Sequence, residues 1–134
     1  MIESAEEFLS LMRSEEKDDY DRFRNDEAPL HVWETLLEKY PLANEWVARN
    51  RKSPIEILRR LATDERTLVR THVASVRRIT EEIQLILVKD KEYSVRHTLA
   101  YNAKATVKVL EILATDLEAN ISDKAKEALN EKQS

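Results

Sequence analysis

The sequence predicts an all-α protein, built as a right-handed helical solenoid of about four hairpins behind an acidic helical cap. Two observations predict it. The first is a repeat. Ile57-Leu58-Arg59-Arg60-Leu61-Ala62-Thr63-Asp64 aligns with Ile83-Gln84-Leu85-Ile86-Leu87-Val88-Lys89-Asp90 and with Val109-Leu110-Glu111-Ile112-Leu113-Ala114-Thr115-Asp116. After four intervening residues stand Val69-Arg70, Val95-Arg96 and Ile121-Ser122, and successive aspartates are 26 residues apart. A fixed period of this size marks units that cannot bury their apolar faces alone and form a core by stacking. The second is composition. The 134 residues include no glycine and are 36% charged, which suits helices and removes the residue that tight strand turns favour.

The elements follow in order. Ser4-Ala5-Glu6-Glu7 is a capping box, and Phe8, Leu9, Leu11 and Met12 give the first helix an apolar face. Ser14 is placed to cap a second helix through Arg24, with Tyr20 and Phe23 inward. Its acids, Glu15, Glu16, Asp18, Asp19 and Asp21, favour the positive end of a helix. Pro29 suits a first helical position. Leu30, Trp33, Leu36, Leu37 and Tyr40 then share one face until Pro41 ends the helix. Residues 42–50 form a short partner helix. Trp46-Val47-Ala48-Arg49-Asn50 aligns with His72-Val73-Ala74-Ser75-Val76 and Thr98-Leu99-Ala100-Tyr101-Asn102, so this pair is the first repeat. Ser53-Pro54-Ile55-Glu56 is a second capping box, and Thr80 and Thr106 stand at the position of Pro54 as helix starts. The chain thus reads as one domain over residues 1–134: an acidic helical cap over 1–28, repeats over 29–129, and a fraying tail over 130–134.

Much chemistry is excluded by composition. Without cysteine there is no disulfide, thiolate metal site or cysteine nucleophile. Without glycine there is no phosphate loop or nucleophile elbow. The three histidines make no ligand motif, and His72, on the buried side of its helix beside Val69 and Val73, reads as a satisfied core or boundary histidine. No metal, cofactor or catalytic residue is expected. The acidic N-terminus is unlike a secretory signal. The longest apolar run, residues 85–88, is too short for a membrane span, so a cytoplasmic protein without membrane attachment is expected.

These residues resemble a known family. Asp64-x5-Arg70 and Asp90-x5-Arg96, each with Val before the Arg, look like HEAT-type repeats. The short period and the run from Trp46-Val47-Ala48 through Asn50 to Pro54 are similar to the leucine-rich-repeat-variant branch. One member of that branch holds a cysteine-ligated iron–sulfur segment, which this chain cannot carry. Ser122 in place of the Arg is what a terminal capping repeat implies. In such repeats the Asp/Arg pairs brace the turn and the neighbouring unit. Small bacterial proteins with an acidic helical head on such repeats resemble immunity proteins encoded beside polymorphic toxins. That resemblance implies a protein partner, a cognate toxin domain, whose active site or substrate access the chain blocks.

A helical wheel supplies the candidate site. With Val69 inward, Val73 and Val76 stay beside it, while Thr71, Ser75 and Arg78 point away. The equivalent rows are Glu45 and Arg49 (with Lys52) one repeat earlier, and His97, Tyr101 and Lys104 one repeat later. These are the expected partner-binding residues, with Arg49 and Tyr101 foremost, since Arg and Tyr dominate binding energy at interfaces. The acidic head is the competing site. Arg51, Lys52, Arg77, Arg78 and Lys104 form a basic ladder that could track phosphates. Residues 48–108 carry a net +7 within a chain of net −4, yet few aromatics are available for base stacking. Nucleic acid is therefore not expected. A general HEAT-like scaffold or adaptor is the first alternative function and a nucleic-acid-binding repeat protein the second, and the sequence leaves the oligomeric state open.

Overall fold

A computed structural model describes residues 1–133. It is all-helical, with ten α-helices and no strand among the described residues. No helix there is long and apolar enough to cross a membrane. The chain divides into two compact units, Met1–Leu61 and a second that begins at Ala62.

The first unit holds α1 (Ala5–Arg13), α2 (Lys17–Asn25), α3 (Leu30–Lys39), a 3-10 turn (Pro41–Ala43), α4 (Asn44–Arg49) and α5 (Ile55–Leu61). The Ser4 half of the capping box forms, with Ser4 Oγ accepting from the Glu7 N–H at 3.0 Å, while Glu7 Oε1 reaches one residue further back than expected and accepts from the Glu3 N–H at 2.8 Å. α1 packs on α2 and α3 through an aromatic core. Phe8 stands 4.9 Å from Phe23 and 5.7 Å, edge-on, from Trp33. The Trp33 indole N–H is satisfied by the Ala28 carbonyl. Four details differ from the sequence reading. Ser14 does not cap α2, which begins at Lys17 behind Glu16; its hydroxyl accepts from the Glu16 N–H and donates to Asp19. Tyr20 faces solvent at 48% exposure, and Leu30 at 40%, whereas Val32 is buried. α2 is too short and polar to bury more than Phe23, so its second aromatic lies outside. Residues 42–50 do not form one helix, because the 3-10 turn begun by Pro41 precedes α4.

The second unit holds α6 (Thr67–Ser75), α7 (Glu81–Leu87), α8 (Tyr93–Tyr101), α9 (Val107–Leu113) and α10 (Ala119–Gln133). α6 packs beside α8 and α8 beside α10, while α7 packs beside α9. Thr80 and Thr106 cap α7 and α9, accepting from the N–H groups of Ile83 and Val109. α10 runs to Gln133, past the expected end at residue 129. Its apolar period runs out there, but the polar residues that follow include good helix formers and no glycine or proline. Of the tail expected to fray, Ser134 lies outside the described residues.

The repeated aspartates work at every turn of this unit. Asp64, Asp90 and Asp116 each accept, through Oδ1, from the N–H two residues on, at 2.9 Å. The arginines tie one turn to the next. Arg70 Nη1 donates to the Asp64 and Glu65 carbonyls of its own turn, and Nε donates to Asp90 Oδ2 of the following one at 2.7 Å. Arg96 repeats this, with Nη1 on the Asp90 carbonyl and Nε on Asp116 Oδ2 at 2.8 Å. Gln84, 1% exposed, is a further tie that the repeat did not reveal. Its Nε2 donates to the Ile79 and Lys104 carbonyls and its Oε1 accepts from the Thr106 N–H.

This ladder has a pH signature. Burial pushes the Asp116 carboxyl up, but hydrogen bonds from Arg96 and the Glu118 N–H outweigh it, leaving its pKa below the ordinary value. Asp26 in the first unit is likewise lowered, chiefly by its hydrogen bond from Arg22. A carboxyl whose folded pKa is depressed contributes stability above its unfolded pKa and loses it as pH falls through the folded one. Thermal midpoints should therefore hold steady above the carboxylate range and drop below it. Asp116→Asn should be less stable near neutrality and show a shallower acid loss; an unchanged acid limb would remove Asp116 from this account.

Candidate recognition faces

In the second unit, the expected residues lie along the second helices and the loops that follow them. Thr71 and Ser75 lie on α6, and His97 and Tyr101 on α8. Thr71 and His97 are half-buried, while Ser75, Tyr101 and the loop residues Arg78 and Lys104 are exposed. The structure brings the two rows together. Thr71 Oγ1 lies 3.2 Å from Ser94 Oγ. Asn102 Nδ2 donates to the Ala74 and Val76 carbonyls, both at 2.9 Å, setting the C-terminal ends of α6 and α8 side by side. Asn102 Oδ1 accepts from the Lys104 N–H, and Gln84 ties the loops bearing Arg78 and Lys104 together. Desolvation lowers the Arg78 pKa from its ordinary value. The residue as a whole is nonetheless exposed.

The main feature of this face is a stripe that includes a residue the wheel omitted. Tyr93, His97 and Tyr101 recur every fourth position, so they stand above one another on α8. The His97 ring is stacked 5.2 Å from Tyr93 and lies 4.7 Å from Tyr101. α10 flanks the stripe, with Lys124 Nζ 5.0 Å from the Tyr101 ring centre and Asn120 donating to the Tyr93 hydroxyl. Tyr93 is 39% and Tyr101 57% exposed. The i−4 spacing from His97 was the available signal for Tyr93. A cleft of about 280 Å³ opens beside Tyr101, walled by Lys124 and Ala128 with Leu110 below.

Glu45 and Arg49 belong to the first unit. Both lie half-buried on α4. Arg49 rests over the Trp46 ring, 4.6 Å from its centre. Arg24 of α2 donates from Nε to the Arg49 carbonyl, while the Arg51 N–H donates back to the Arg24 carbonyl. Arg24 Nη1 donates to the Tyr20 hydroxyl at 2.9 Å. Asn50 closes the junction by donating to the Phe23 and Asp26 carbonyls. This is the tie Asn102 makes in the second unit. Tyr20 and Arg24 were missed because the repeat alignment did not reach α2, and Trp46 because it was read only as a position of that alignment.

No group of three or more metal-ligating side chains gathers among the described residues. The Asp/Arg pairs are consumed in bracing turns. No family model matches the chain, and no curated protein or solved structure matches it.

Proposed function

We propose that the chain is a HEAT-like right-handed solenoid with an acidic cap over residues 1–28. It works as a non-enzymatic, cytoplasmic protein-binding module, an immunity protein that occupies a cognate toxin domain. The observation that carries the binding reading is the Tyr93/His97/Tyr101 stripe. These rings are held by one another and by α10, so they lose little freedom on binding, and exposed tyrosines of this kind serve as rigid anchors. The same stacking argues against nucleic acid: rings closed on one another offer no gap for a base. The toxin assignment rests on the family resemblance.

Co-expression tests it. The wild-type chain should protect cells from the cognate toxin. Arg49→Ala/Tyr101→Ala should stay folded, since neither side chain is buried, and should weaken binding by more than tenfold, about 1.4 kcal/mol. Reversing Glu15, Glu16, Asp18, Asp19 and Asp21 should mainly slow association. If reversal abolishes protection while the double variant is silent, recognition lies in the acidic head.

A further inference from the structure

Residues 1–29 carry a net −6, yet two arginines there and on α4 bind no carboxylate. Arg24 commits Nε to a carbonyl and Nη1 to the Tyr20 hydroxyl, and makes no ion pair among the described residues. The Arg49 guanidinium makes no hydrogen bond or ion pair among the described residues; its contact is the Trp46 ring. Three acids of the head are engaged elsewhere. Asp26 is held by Arg22 and the terminal ammonium, Asp21 by Lys17, and Asp19 by the Ser14 hydroxyl. Trp46 is steadied in turn by Phe23, 5.8 Å away.

A guanidinium resting on an aromatic ring is pre-ordered, and stacking leaves its rim of N–H donors for a planar anion. We propose that the Tyr20/Arg24/Trp46/Arg49 cluster seats an acidic segment of the protein partner, with one carboxylate received by each guanidinium. The inference rests on the protein-binding reading and adds the chemistry of what binds. A carboxylate pair fits better than a nucleic-acid backbone. Asp18, Asp19 and Asp21 on α2 repel a continuous run of phosphates more than two isolated charges. The Trp46 ring is also already covered by the Arg49 guanidinium, which removes it as a stacking platform for a base.

The probe is a blocked pentapeptide, acetyl-Ala-Glu-Ala-Glu-Ala-amide, titrated at low salt into the full-length protein and followed by the Trp46 indole and Arg49 Nε–H signals in NMR. The indole signal is assigned with Trp46→Phe. Saturable shifts are expected with this peptide and none with its glutamine analogue. Arg49→Gln, which removes no internal hydrogen bond, should weaken binding at least tenfold. Arg49→Lys, which keeps the charge but not the fork, should recover part of it. No response, equal response to the glutamine peptide, indifference to Arg49→Gln, or tighter binding of a short oligothymidylate would each overturn the proposal. A peptide response without protection in co-expression would sink the immunity reading and leave this site standing. Protection without a peptide response would do the reverse.

Discussion

Val73→Asp should lower the unfolding free energy by roughly 3–5 kcal/mol, the cost of an unpaired charge in the interior. Val73 is 0% exposed on α6, between α7 and α8. Domains of this size have total stabilities of about 5–15 kcal/mol, so the variant should be largely unfolded at moderate urea. Ser75→Asp, two residues on, should change stability by roughly 0.5 kcal/mol or less. Ser75 is exposed, and its hydroxyl serves only the His72 carbonyl one turn back, at 2.6 Å. A carboxylate near a helix C-terminus is mildly unfavourable, which sets the sign. The pair is read from urea midpoints with the slope checked for constancy. Equal losses would mean that the inward and outward faces of α6 are exchanged.

That contrast was legible because the 26-residue repeat presents each helix more than once. The first helices of the repeats begin at Ile55, Glu81 and Val107, and the second at Thr67, Tyr93 and Ala119, each in register with the period. A wheel drawn on α6 is therefore checked by α8. Three helix starts were equally clear, since a hydroxyl at Ser4, Thr80 or Thr106 has one local task, whereas Ser14 stands too far ahead of α2 to cap it. Where the repeat gave no second copy, the reading slipped. Tyr20 looked like core because an aromatic near Phe23 in a polar helix invites that assignment. Arg24, one turn further along the same helix, donates to its hydroxyl on the exposed side. The Arg70–Asp90 pairing shows a different limit. The sequence pairs Asp64 with Arg70 by proximity, but the guanidinium takes the carbonyl of Asp64 and the carboxylate one repeat later. Spacing identifies the residues of such a ladder; packing decides its rungs. The acidic head hid the first-unit cluster for a similar reason. A net charge averages over residues, whereas Arg24 and Arg49 act individually.

Arg70→Ala should be the most damaging substitution of a charged residue in the second unit, costing about 3–5 kcal/mol. The side chains of Arg70 and Asp90 are only 10% and 8% exposed. Removing the guanidinium strands a buried carboxylate and strips donors from the Asp64 and Glu65 carbonyls. Asp90 keeps only the Glu92 N–H on its Oδ1. Arg96→Ala should cost less, because that pair is 17% and 10% exposed and water can partly replace the lost partner. Arg66→Ala provides the surface reference. Its 3.7 Å approach to Asp64 leaves the arginine 39% exposed, where ion pairs contribute at most about 1 kcal/mol. The desolvation argument makes a further demand. Arg70→Met/Asp90→Leu removes both charges and should be more stable than either Arg70→Ala or Asp90→Ala, since no orphan charge remains. Urea unfolding of these variants decides the matter. If Arg70→Ala loses no more than Arg66→Ala, the ladder is decoration on a core that stands without it. If the double replacement is the worst of the set, the stranded charge is not the main cost, and the bond from the Glu92 N–H to Asp90 adds to what Arg70 holds.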